Sequence, residues 1–148
     1  MRSTYRSVLS LDQRGQAAVE ALLVVMLFAL VIFGGFELSR GVAIRQALDS
    51  GTGAAVRVLS LDPSQWDNAS NLVQQAVEQN VMGSGPDSTL QVYDSAHTLR
   101  SSAWLSGCPF GTVFILEASA SFQADIPFLP EPVIGIRVRH WGIVERYP

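Results

Sequence analysis

Few side chains in this 148-residue chain have the types and spacing that chemistry requires. There are two histidines, His97 and His140, and one cysteine, Cys108. Together with Asp94 or Glu117 the histidines could hold a metal ion. No local ligand spacing demands one, and a lone strand histidine is more often a packing or surface residue, so no metal site is expected. Ser106-Gly107-Cys108 lacks the pattern of a nucleophile elbow, and there is no glycine-rich phosphate loop. A single cysteine makes neither an intrachain disulfide nor a cysteine-based zinc site; Cys108 could pair between chains, but a lone buried thiol is the favoured reading. The expectation is a protein that is not an enzyme and needs no cofactor.

The residue that asks for an explanation is Glu20. It stands in "RGQAAVEALLVVMLFALVIFGGFELSR", with three apolar residues before it and sixteen after it. A carboxylate inside a membrane helix costs about 2.5–3.5 kcal/mol on insertion scales, and such residues are usually retained for a function. Position alone leaves an alternative open: one turn into the span, Glu20 could snorkel to the interface.

The element that carries Glu20 is the apolar run from Gln16 to Phe36, 21 residues long. As a helix it measures about 31 Å, against a bilayer core of about 30 Å. One crossing is expected. A cleaved secretory signal would be shorter and end in a small-x-small site; here Phe33 stands before Gly35, which makes a poor one. No cysteine follows closely, so a lipoprotein is excluded. Arg2, Arg6 and Arg14 precede the span, and Arg40 and Arg45 follow it. That slight bias, with the shortness of the leader, places the N-terminus in the cytoplasm and the remainder outside.

Gly15 followed by Gln16-Ala17-Ala18-Val19-Glu20 and a long apolar run, behind a short basic leader, resembles a type IV prepilin processing site. The resemblance implies a membrane-embedded prepilin peptidase that cuts after Gly15 on the cytoplasmic face. The mature chain would then begin at Gln16, with Glu20 as its fifth residue. The spacing is physically sensible. Cutting creates an α-amine at Gln16, which is cationic unless strongly desolvated. In a filament of stacked helices that amine and the Glu20 carboxylate of a neighbouring chain compensate each other and set axial register. A glycine at the cut lets an extended chain enter a tight cleft.

Beyond the span, Glu37 and Arg40 are three apart and can form an interfacial ion pair on one helix face. Apolar residues continue at Val42, Ile44, Leu48, Ala55, Val58 and Leu59 with rough helical spacing, which predicts one helix over 16–60. Gly51 and Gly53 weaken it by about 1 kcal/mol each relative to alanine; they mark a bend or let another helix pack closely. "RGQAAVE", the apolar run, "GGFELSR" and "RQALDSGTGAAVR" together resemble the TadE-like family, minor pilins or pseudopilins of the tight-adherence (Flp-type) type IV pilus machinery. The resemblance covers residues 14–57. Typical members carry Glu-Phe-Gly-Arg where this chain has Glu37-Leu38-Ser39-Arg40, a departure that keeps both charges.

The rest of the chain has the makings of a small α+β domain. Asp62 is the expected N-cap of a second helix, with Pro63 at its first position and Gln65 completing a capping box. Trp66, Ala69, Val73, Ala76 and Val77 share its apolar face, and Gly83 or Gly85 ends it. Strands are predicted over 90–94, 112–124 and 133–147, where β-branched and aromatic residues accumulate. "PFLPEP" (127–132) is a stiff connector, and 95–111 is a long loop or holds a further short strand. An antiparallel sheet of three or four strands packed on the helices completes a pilin-like lollipop. Three segments result: a cytoplasmic leader over 1–15, a long helix over 16–60 that spans the membrane over about 16–36, and an extracytoplasmic domain over 61–148.

Net charge is −3, with ten arginines, no lysine and no basic run, which disfavours nucleic-acid binding. The function implied by the resemblance is assembly: pilus biogenesis and surface adhesion, in the bacterial inner membrane or incorporated in the extracellular pilus. The implied partners are the prepilin peptidase, other minor pilins, the major Flp pilin and the inner-membrane assembly platform. The competing reading is an unprocessed single-pass protein whose outer domain scaffolds or binds a partner in an envelope complex.

Overall fold

A computed structural model describes residues 5–80 and 85–145, with side chains over 15–79 and 85–145. Helix α1, Tyr5–Leu61, is unbroken for 57 residues, about 86 Å. It contains the expected helix and begins earlier, inside the leader, where nothing between Tyr5 and Arg14 would stop it: the stretch has no proline and no glycine. Helix α2, Trp66–Asn80, follows. Then come β1, Ser88–Asp94, and β2, Leu99–Arg100. A short helix α3, Ser102–Ser106, precedes the long strands β3, Val113–Gln123, and β4, Val133–Ile143. The sheet is antiparallel throughout, in the order β2-β1-β3-β4.

Two local expectations shift. The start of α2 moves past Pro63. The Asp62 carboxylate accepts from the Ser64 N–H and hydroxyl and from Gln65 Nε2, closing a turn. The Gln65 carbonyl then takes the Ala69 N–H at 3.0 Å and caps the helix in its place. Aspartate closes such turns as readily as it caps helices, and here the turn wins. In 95–111, the further strand (β2) is present, and α3 beside it was not foreseen; Ser101 caps α3 by accepting the Trp104 N–H. Gly83, one of the two expected terminators of α2, lies outside the described residues.

The core lies between the sheet's inner face, the C-terminal half of α1 and α2. Ile44, Leu48, Ala55 and Leu59 of α1 are fully buried, with Val73 and Val77 of α2 and Phe114, Leu116 and Ala118 of β3. Period two along β3 puts Phe114, Leu116, Ala118, Ala120 and Phe122 on one face. The register pairs Leu116 with Val92 and His140, and Ala120 with Ile136. Two glycines make room for this packing. A Cβ on Gly51 would sit 2.9 Å from Ala76 Cβ and 3.0 Å from Val73 Cα, so α1 and α2 touch there almost backbone to backbone. Of the two roles open to Gly51, close packing is the one used. A Cβ on Gly142 would fall 2.4 Å from the Phe114 ring, which lies across its backbone.

The tight hairpin between β1 and β2 is organised by Asp94. Its carboxylate accepts the N–H groups of Ala96 and Thr98 and pairs with Arg100 at 2.8 Å. The Thr98 N–H, followed by Arg100, holds the Asp94 carboxyl below its ordinary 3.8 although desolvation opposes this. At the other end of the sheet, the Leu129 N–H bonds to the Ile126 carbonyl. Pro127 and Phe128 are the central residues of that turn, and Phe128 has φ 68°. This is the pattern of a type II turn, whose third residue is normally glycine or asparagine. A left-handed conformation costs a phenylalanine about 1–2 kcal/mol.

Gly51→Leu is expected to lower stability by about 1–3 kcal/mol through overpacking against α2. Gly53→Ala, whose Cβ would meet only His140 Cε1 at 3.9 Å, is expected to be neutral or to stabilise. Denaturation in detergent, followed by circular dichroism, distinguishes the two. A depressed carboxyl stabilises the fold above its unfolded pKa and loses that contribution as pH falls through the folded value. Asp94→Asn should therefore flatten the decline in melting temperature below pH 3.8 and weaken the hairpin at neutral pH.

Candidate functional site

One stretch of α1 carries the residues singled out for assembly. Every residue from Gly15 to Val25 is exposed in the isolated chain. A Cβ on Gly15 would meet no atom within 4 Å, so no packing contact within the chain requires a glycine there. Glu20 lies one helical turn beyond Gln16. Among the described residues it makes no hydrogen bond or ion pair. Any partner for this carboxylate has to come from outside the folded chain as described.

Where the span ends, the helix meets the sheet, and charge enters the boundary. Glu37 is 7% exposed, and Arg40 Nη1 lies 3.9 Å from its Oε2. That separation is too long for a hydrogen bond, and both Glu37 Oε2 and Arg40 Nε lack a hydrogen-bond partner. Phe122 lies alongside: the Arg40 guanidinium carbon is 5.3 Å from its ring centroid, a cation–π arrangement. The sequence shows the i, i+3 pair; Phe122 is 82 positions further along, and no local pattern announces it.

The sheet separates the two histidines. His140 is on the inner face and bonds Asp49 of α1 at 2.9 Å. His97, in the β1–β2 turn with φ 62°, packs edge-on against Trp141 on the outer face. Glu117, 3% exposed, is bonded by Arg139 across the β3–β4 pairing, and that arginine also covers the Tyr93 ring. Among the described residues no three metal-ligating side chains converge. Burial pushes the Cys108 thiol above its ordinary pKa, away from the thiolate that nucleophilic or metal chemistry requires. Its Sγ–H is directed at the Trp104 carbonyl.

These features define a class: a single-pass membrane protein with a small α+β domain built on the C-terminal half of its one long helix. Among the described residues one helix is long and apolar enough to cross a bilayer, and none of its apolar window is buried within the fold. A soluble protein's core helix would be mostly buried. The family model for TadE-like protein matches residues 15–57, which begins at Gly15 and runs through Glu20, Glu37 and Arg40. The likeness is thus to a family of the tight-adherence pilus system, over the first third of the chain. Neither a curated protein nor a solved structure matches.

Removing only the cation of the boundary pair leaves Glu37 buried with its Oε2 uncompensated. Arg40→Met is expected to cost on the order of 1–3 kcal/mol. The double variant Glu37→Leu/Arg40→Met should recover most of that loss, because replacing both members of a buried pair by apolar groups is often neutral. Thermal unfolding of the reconstituted chain measures both.

Proposed function

We propose that this chain is a minor pilin or pseudopilin of a tight-adherence (Flp-type) pilus assembly system, with its N-terminus cytoplasmic and its sheet domain outside. It acts in pilus biogenesis and surface adhesion by assembling, not by catalysis. A prepilin peptidase cuts between Gly15 and Gln16, and the amine so created meets the Glu20 carboxylate of a neighbouring subunit. The other minor pilins, the major Flp pilin and the inner-membrane assembly platform are its partners.

The observation that carries the reading is the closeness, on one exposed stretch of helix, of a glycine that no contact demands and a carboxylate that no contact among the described residues satisfies. They are five residues apart, at the start of the stretch that the family model matches. An unpaired carboxylate in hydrocarbon is costly enough to drive pairing with a cation. The new α-amine is a cation of the right charge at the right depth. In the isolated helix the whole apolar surface around it is open to other helices.

Co-expression with the prepilin peptidase and N-terminal sequencing tests the processing. The expected mature start is Gln16, and Gly15→Phe should abolish it. A mature chain that still begins at Met1 would favour the unprocessed scaffold instead. Glu20→Leu should leave membrane insertion intact and remove the chain from sheared pili; undiminished incorporation would rule out the role given to Glu20.

A further inference from the structure

The tip of the β3–β4 loop presents an apolar surface that the fold does not use. Phe128 is 69% exposed, and Leu129, Val133 and Ile134 are exposed beside it. Phe128 occupies the left-handed position of its turn, where glycine would be unstrained. The sequence therefore tolerates backbone strain to place an aromatic ring in the open. Strain of this kind is retained where the side chain has a function outside the packed core.

Its location identifies that function. Strand β3 runs antiparallel to α1: Val113 shares a hollow with Ser60 and Leu61, while Phe122 lies against Gly41. Beyond Phe122 the chain continues toward the membrane. Ile126 and Ile134, at the two ends of the loop, line one groove of about 500 Å³ with Gly34 and Leu38 of α1. The apolar span ends at Phe36. Ile134 pairs with Phe122 beside Gly41, between one and two helical turns beyond Phe36, and Ile126 follows further along the direction of β3, so the loop extends from that level toward the end of the span. Two arginines, Arg45 and Arg137, line the same groove, and among the described residues neither has an ion-pair partner. Apolar side chains at the tip with unpaired cations above them match the order in which a bilayer presents acyl chains and phosphates. Asp125 and Glu131 stand at the neck, with Glu131 bonded by Gln123. They limit entry to the tip.

The geometry points to a second membrane contact: the Ile126–Ile134 loop seats in the outer-leaflet interface through Phe128 and Leu129, with Arg45 and Arg137 facing lipid phosphates. The occupant of this surface is the lipid bilayer, and the inference rests on the single-pass reading above. The apolar surface of the tip adjoins that of the span, so one lipid surface covers both. Two contacts on one rigid domain fix its tilt, which a lone helix leaves free to rotate and lean.

The test uses the full chain in phosphatidylcholine–phosphatidylglycerol vesicles. A Cys108→Ser background receives Phe128→Cys, or Gln75→Cys on α2 as the remote control, each labelled with an environment-sensitive fluorophore. Lipids carrying a nitroxide near the top of the acyl chain serve as quencher. At position 128 the expected result is blue-shifted emission with quenching several-fold stronger than at position 75. Arg45→Gln/Arg137→Gln should weaken that quenching and remove its dependence on salt. Water-like emission at 128 in a chain that still floats with the vesicles overturns the loop contact alone. Blue-shifted emission without lipid quenching also overturns it, in favour of a second copy or another protein on the tip. A chain that does not float overturns the membrane reading, and the loop contact with it.

Discussion

Hydrocarbon offers backbone groups no water to bond, so a chain that enters it must satisfy its own N–H and C=O groups. For the apolar run over 16–36 the solution is helix, and the rest of the molecule is arranged around the consequence. The helix does not stop at the bilayer's edge. It continues to Leu61 and changes the kind of surface it presents. In the span most side chains are exposed and none is fully buried, whereas from Ile44 to Leu59 one stripe is buried under the sheet and α2. The same element serves as membrane anchor and as the central beam of the α+β domain.

The dual use explains why the boundary is polar and crowded. At Glu37 and Arg40 the helix leaves one apolar medium for another, and the charged pair marks the passage. Phe122 covers the arginine at that level, while the groove beside it opens toward the span. The α+β domain has fewer than ninety residues after the helix, too few to bury a large core alone. It borrows the apolar stripe of α1. Close approach at Gly51 and the Phe114 ring folded over Gly142 show how tightly that loan is packed.

The polar groups divide along the same axis. Gly15 and Glu20, to which an assembly role is proposed, lie toward the N-terminal end of α1, where the folded chain as described leaves them unengaged. Several polar groups of the α+β domain are engaged: His140 by Asp49, Glu117 by Arg139, Asp94 by its own turn.

The sequence by itself determined what depends on short-range order. Periodicity located the long helix, the apolar face of α2 and the three longer strands, because burial on one face writes a repeat of 3.6 or 2 into neighbouring residues. Helical spacing located the Glu37–Arg40 pair; Glu20 stood out as a carboxylate in an apolar run, and Gly15 only through the resemblance to a prepilin processing site. The start of α2 was misplaced because Asp62 had two local options and only the folded turn decides between them. What pairs with what across the sheet was not legible: Phe122 on Arg40, Glu117 with Arg139 and His140 with Asp49 join positions 22 to 91 residues apart. Nor was the level of the β3–β4 loop, since a proline-rich connector reads alike wherever it ends up. Only the antiparallel run of β3 along α1 brings it down beside the span. Such relations are set by register and packing, which local spacing does not encode.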